Sequence, residues 1–470
     1  MPFDRSTSQE KTIARIRRPQ IHFGAGRPGS VVGMTPTPGN DELDLTARIA
    51  RDLIRFDTSN FGEGRSNGET EAAEYLAAHL ERLGLTVQSF DSEPRRTSIV
   101  TRIPGRDPSK PALVVHGHTD VVPAIAADWS VDPFEGVVKD GMLWGRGAVD
   151  MKNMDAMIIS ALDRILGSGR QPARDLVVAF FADEEAGGVL GSGYLVREHP
   201  ELFAGASEAI SEVGGYSIDL DGKRAYLVQT GEKAILWIKL AARGTAGHGS
   251  QINTDNAVTR LARAVAAVGG LEWPVHLTAT TRQLLDRVAA ILGQDPQQVS
   301  PDEIAIATGT ASRFISATLR TTTNPTGLTA GYKHNVIPDF AVAMIDVRVL
   351  PGHEDAVLAE IRSVVGDDIE ISITHRDIGL ETTFDGALVD AMVGSLQKHD
   401  PGAEVLPYLL SGGTDNKALS LLGIRGFGFA PLQLPAALDF PAMFHGVDER
   451  VPLEALSFGT DVLTDLLLEY

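Results

Sequence analysis

Five segments of the chain place histidines and acids where apolar runs end. ALVVHGHTD closes on His118 with Asp120 two positions on, and the Gly-rich WGRGAVDMK delivers Asp150 to a helix start. LVVAFFADEE runs into Asp183, Glu184 and Glu185, AISEVGG carries Glu212, and FHGVDE carries His445. The sequence contains no cysteine, so a metal site here has only His, Asp and Glu to draw on. Three adjacent acids at the end of a buried strand are costly unless they are solvated or face cations.

Neighbouring carboxylates such as Glu184 and Glu185 can divide their work, one holding a metal and the other facing the water that the metal activates. Asp120 is placed to accept the second N–H of the His118 ring, which sets the tautomer of a ligating imidazole. Each segment also has an ordinary reading: a strand-end histidine, a helix-capping Asp150, a solvated run of acids. His116 reads as a hydrogen-bonded core histidine.

Positioning these side chains falls to an alternation of helices and strands. LDLTARIARDLIRF, ETEAAEYLAAHLERLGL, MKNMDAMIISALDRIL, EDAVLAEIRSVVG and LEALSFGTDVLTDLLLEY carry helical patterns. SIVTRI, ALVVHGH and LVVAFFA are continuously apolar, as strands covered on both faces are. The fold expected is α/β, a mostly parallel central sheet flanked by helices, with an inserted α+β lid or dimerisation domain. The domain limits expected are 41–233 and 351–470 for the two parts of the catalytic domain and 234–350 for the lid. Residues 1–40 read as a basic disordered tail or an over-called start upstream of Met34, with an organelle-targeting leader as the alternative. Residues 271–320 read as lid packing or a dimer contact.

The five motifs, in this order from about Asp41 to Tyr470, resemble the aminoacylase, carboxypeptidase G, dipeptidase and succinyl-diaminopimelate desuccinylase family of dinuclear zinc hydrolases. The resemblance implies that Asp150 bridges two zinc ions, with His118 and Glu212 completing one site and Glu185 and His445 the other. Cobalt or manganese are the expected substitutes. It implies Asp120 behind His118, Glu184 as the general base, and a cis Asp150–Met151 peptide. Two cations roughly 3.5–4 Å apart polarise a carbonyl and bring the pKa of a bound water from 15.7 towards about 7.

GTAGHGS looks like the family's lid motif, implying that His248 stabilises the developing oxyanion. KHNVIPDFAVAMIDVRVLPG and SGGTDN likewise imply substrate contacts by Asn335, Arg348, Gly412, Gly413 and Thr414. A guanidinium can hold a carboxylate through two parallel hydrogen bonds, although Arg348 can equally pair with Asp346. The substrate implied is a small carboxylate-bearing amide: an N-acyl amino acid, a short peptide or a relative of these. A homodimer through the lid is implied as well.

Composition bounds the alternatives. A chain of 470 residues, 43% apolar, is long enough for more than one core. Its 42 basic against 62 acidic residues give a net charge of −20, which repels nucleic acid and anionic membranes. Without a bilayer-spanning apolar run or secretory signal, the protein reads as soluble and cytoplasmic. Two rival readings stand beside the hydrolase: a zinc aminopeptidase, which has no need of the lid, His248 or Arg348, and a non-catalytic metal-stabilised binding protein, to which Glu184 brings no benefit.

Overall fold

The computed structural model describes residues 43–470, and the expectation for residues 1–40 lies outside them. The five periodic segments form the helices Leu45–Ile54, Thr70–Arg82, Lys152–Gly167, Glu354–Val365 and Leu453–Glu469. Asp44 starts the first, its carboxylate accepting the Ala47 N–H at 2.7 Å. Lys152–Gly167 is buried along most of its length because it packs against the strand Ala112–His118 and both terminal helices. Each Leu, Ile, Val or Phe fully buried in this way contributes about 1.5–3 kcal/mol.

Ten strands form the central sheet. Its middle is parallel: Ala112–His118 lies between Leu176–Phe181 and Ala206–Ser211, and Arg425–Gly428 continues the sheet beyond Ala206–Ser211. Towards the edges the pairing turns antiparallel, through Thr97–Ile103 on one side and Lys223–Glu232 on the other. Every residue of Ala112–His118 and Leu176–Phe181 is buried, as continuous apolarity requires. Parallel neighbours end at the same edge, so the register of His118 on Phe181 and Val115 on Ile210 brings three chemistry-bearing strand ends together.

Asp150 and His445 reach that edge by a different device. The hairpin Val137–Lys139 and Met142–Trp144 turns at Asp140–Gly141, where φ is +53° and +73°. Arg450–Pro452 then adds as a third strand, pairing Arg450 with Trp144, and sets the 445–449 segment beside the 145–150 loop.

A second, antiparallel sheet runs in the order Thr322–Ala330, Phe340–Val349, Ala234–Arg243, Glu370–Arg376. With the helices Ala257–Gly269 and Glu354–Val365 it has its own core, including Leu236, Leu261, Ile345 and Ile361. Two expectations are redrawn by this packing. Glu354–Val365 and Glu370–Arg376 lie beyond 350 yet belong to the small sheet, because Glu370–Arg376 pairs along Ala234–Arg243 and Val357 and Ile361 fill the small core. Conversely, the helices between 271 and 320 put Leu284, Val288, Ile304 and Ile315 into the large core, where their apolar faces cover Glu404–Leu410. Among the described residues no helix is long and apolar enough to cross a membrane.

Candidate active site

His118, Asp150, Glu184, Glu185, Glu212 and His445 converge at the carboxyl edge of the central sheet. The two carboxylate oxygens of Asp150 face different histidines, His118 Nε2 at 3.2 Å and His445 Nε2 at 3.2 Å. His445 Nε2 is also 3.1 Å from Glu185, and His118 Nε2 is 3.5 Å from Glu212 and 3.8 Å from Glu184. Asp150 does not cap the following helix, whose N-cap is Met151 with no side-chain hydrogen bond. The Asp150–Met151 peptide is cis.

Buried acids hold these groups in place. The Asp120 carboxylate accepts the main-chain N–H groups of Glu184 (3.1 Å) and Glu185 (3.2 Å) and the amide of Asn60 (2.9 Å). His118 Nδ1 meets the Asp120 main-chain oxygen at 3.0 Å and its carboxylate at 3.5 Å. Asp183 stands at φ +69°, accepting from Arg96, Asn60 and the Leu190 N–H, so the turn carrying Glu184 and Glu185 is tied from below.

The fully buried Glu449 performs the same service for the loop that carries Asp150. It accepts from Arg146 at 2.7 Å and from the N–H groups of Gly147, Val149 and Asp150 at 3.1, 2.6 and 3.1 Å. Sequence reasoning reached HGVDE through its histidine and passed over this acid, whose signal was an arginine and a glutamate in two motifs that had to meet. His116 is buried and bonds Asn416 at 3.0 Å, in keeping with a core histidine.

Burial and the crowding of negative charge push the carboxyls of Glu184, Glu185 and Glu212 above their usual range. Burial opposes a proton on His118, but the Glu212 charge and hydrogen bonds to Asp120, Asp150 and Glu212 override it and raise its pKa. Desolvation of His445 is likewise outweighed by its bonds to Asp150 and Glu185. Four acids sharing two imidazoles is a charge distribution that divalent cations relieve, and the donor types suit zinc. Two overlapping groups could each hold an ion: His118, Asp150 and Glu185, and His118, Glu184 and Glu212, with ligand atoms within 4.8 Å of one another in each.

Asp150, Glu184, Glu185, Glu212 and His445 floor a cavity of about 1140 Å³ roofed by the small sheet, with His118 buried behind them. Gly412, Gly413, Thr414 and Arg348 line it. A Cβ at Gly413 would lie 2.7 Å from Lys417 Nζ, so a side chain there would have to displace the end of Lys417. Two of these residues already have partners within the chain. The Thr414 N–H and hydroxyl are taken by Glu232, at 2.9 and 2.6 Å, because the buried carboxylate at the end of Lys223–Glu232 needs both donors. Arg348 is engaged by Asp346 two residues earlier on the same strand face, Nε–Oδ1 2.7 Å and Nη2–Oδ2 3.0 Å.

His248 lies on the strand Gly247–His248, which pairs with Val336–Ile337 directly after Asn335, but both residues are exposed and do not line the cavity. Residues that sequence reasoning missed do line it: Trp237 and His375 in the roof, Asp415 against Ser192 at 2.5 Å, and Lys417 on Asp377 at 2.6 Å. Burial raises the Asp415 carboxyl to about 7. Asp415 lies within the quoted SGGTDN and Lys417 follows it directly, which was the available signal.

Residues 114–469 match the family model of peptidase family M20/M25/M40. The chain is 25% identical over 415 residues to aminoacylase-1 of Sus scrofa, covering 84% of this chain and 89% of that protein. It is 28% identical over 452 residues to probable carboxypeptidase S-like 2 of Dictyostelium discoideum, covering 88% and 82%. Its fold is similar to that of the M20 family metallo-carboxypeptidase Sso-CP2 from Sulfolobus solfataricus, at 19% identity and a TM-score of 0.70, covering 90% of this chain and 99% of that one.

Proposed function

The chain belongs to peptidase family M20/M25/M40 and is a metallopeptidase or amidohydrolase, and from that premise we propose that it hydrolyses the amide bond of a small carboxylate-bearing substrate, an N-acyl amino acid or short peptide. The observation that carries this reading is the convergence of His118, Asp150, Glu185, Glu212 and His445 around Glu184 on the cavity floor.

His118, Asp150 and Glu212 would hold one zinc ion, and Asp150, Glu185 and His445 a second, with cobalt or manganese as substitutes. When bound, such ions polarise a carbonyl and acidify water. Glu184, pushed up by burial and by Glu212, is suited to receive a proton at its carboxylate and return it to the leaving nitrogen. Asp120 and Asp183 keep the turn under Glu184 in place throughout.

Arg348 would leave Asp346 for the substrate carboxylate, and the Gly412–Gly413 backbone would line its other side. His248 and Asn335 would act from a partner subunit in a lid-mediated homodimer, since within one chain they stand outside the cavity. One observation favours a second, aminopeptidase reading: Asp346 already fills the Arg348 fork and could itself receive a substrate ammonium.

The test is a hydrolysis screen of N-acyl amino acids, dipeptides and amino-acid amides with zinc, cobalt or manganese. Glu184→Gln is expected to lower turnover by about 10²–10⁴-fold while about two metal equivalents stay bound. Unchanged turnover in that variant defeats the mechanism, and a preference for amides without a carboxylate selects the second reading.

A further inference from the structure

Away from the cavity, a pair of histidines stands where the chain crosses between the two cores. Residues 271–278 leave the helix Ala257–Gly269 on the small core and reach the helix Ala279–Leu292 on the large one. Leu271 and Trp273 pack against the small core, and Val275 and Leu277 against the large. The segment alternates as an extended strand does, so Glu272, Pro274 and His276 face solvent. The His276 N–H fixes it by donating to the Leu319 carbonyl at 2.8 Å. His353 ends the turn before the helix Glu354–Val365 of the small core, and its N–H donates to the Leu350 carbonyl at 3.1 Å.

Although 77 residues separate them in sequence, the two rings meet edge to face, with centroids 4.3 Å apart and Nε2 to Nε2 at 3.1 Å. One reading of that contact is an N–H···N hydrogen bond, since a neutral imidazole carries one donor and one acceptor. The other is a ligand pair. Two nitrogens each about 2.0–2.1 Å from a tetrahedral metal ion lie roughly 3.3 Å from each other, close to the spacing of these rings. Both rings hang from main chain that is hydrogen-bonded elsewhere, which lowers the cost of ordering them around an ion. The start of a helix repels a cation, but Glu354 and Asp355 in its first turn oppose that. Glu354 also accepts the Gly379 N–H at 3.2 Å, which brings a second crossing segment, 376–380, to the same place. Arg376 on that segment is held by Asp355 at 3.0 Å, leaving the charge of Glu354 in excess.

We propose that His276 and His353 form a divalent-cation site outside the cavity, taking a transition-metal ion that favours imidazole, Cu2+ before Zn2+. Among the described residues the groups of three ligands lie on the cavity floor, so water fills the remaining positions here and the site is the weaker one. An ion held there ties the helix Glu354–Val365, and with it the small sheet, to a segment rooted in the large core. It thereby restrains the roof over the floor. The site is independent of what the cavity hydrolyses.

The zinc-loaded full chain, dialysed free of excess metal, is titrated with Cu2+ beside His276→Gln and His353→Gln, with zinc release measured so that copper entering the floor is counted apart. His276 is exposed and His353 half-buried, and neither lines the cavity. The natural chain is expected to bind a further Cu2+ equivalent at least about tenfold more tightly than either variant, with nitrogen hyperfine splitting in its EPR spectrum. Hydrogen exchange at 271–278 and 376–380 should slow when that equivalent is bound. Circular dichroism checks the fold of each variant, and either one alone suffices for the comparison. Equal copper uptake by the three chains overturns the site and leaves the rings joined by a hydrogen bond. Tighter uptake by the natural chain without slower exchange overturns the restraint and keeps the site.

Discussion

At the scale of single residues, the groups that could do chemistry are held by acids that do none. Glu449 shows the principle: one carboxylate satisfies three N–H groups of the 147–150 loop and the Arg146 guanidinium, and so aims Asp150 between two histidines. Burial raises its carboxyl to about 7, against the attraction of Arg146. Glu449→Ala leaves those donors buried and unpaired, which should cost about 3–5 kcal/mol. Urea denaturation measures that loss, and metal content should fall with it, because Asp150 loses its anchor. Retained stability would show that the loop is held by its glycines alone. The proposed ligands and base were legible as His and acids where apolar runs end, whereas Glu449 and Glu232 were not, since a supporting acid has no signature until its partner from another segment lies beside it.

At the scale of elements, the small sheet is tied to the large one by a knot of polar contacts where the chain crosses between them. Strand Lys223–Glu232 runs almost directly into Ala234–Arg243, and the intervening Lys233 is buried, donating to the carbonyls of Ala317 and Arg320 at 2.5 Å. Lys417 holds the Lys233 carbonyl and Asp377, which in turn accepts the Ile235 N–H. Desolvation, with Arg348 and Arg320 nearby, lowers the Lys233 amine from 10.5 to about 7. Between those values the unfolded chain carries a proton that the folded chain has shed. The cost of burying this amine is therefore full below about pH 7 and is relieved as pH rises towards 10.5. Compared with Lys233→Met, the natural chain should gain stability across that window, read as the difference in urea midpoints near pH 7 and near pH 9.5. Equal pH profiles would place the amine in solvent. Helix and strand periodicity made these elements readable, but their assignment to one core or the other was not: 271–320 carries the same helical pattern whichever sheet it covers.

At the scale of the whole molecule, the two sheets enclose a cavity whose floor is crowded with carboxylates. Stripping bound metal with a chelator should destabilise the chain by about 2.7 kcal/mol for each ion held at 100 times its Kd, the repulsion among Asp150, Glu184, Glu185 and Glu212 then being unrelieved. Thermal unfolding with and without zinc checks this, and an indifferent melting temperature would sink the metal-site assignment. What the sequence by itself determined was the chemistry available and the α/β layering, because ligand types, their order and hydrophobic periodicity are written in single segments and their neighbours. What only the tertiary structure decided was which donors are free. Thr414 was spent on Glu232, Arg348 was met by Asp346, and His276 and His353 were brought together from segments 77 residues apart. Hydrogen-bond satisfaction and solvent exposure depend on what packs alongside in three dimensions, and no local pattern encodes that.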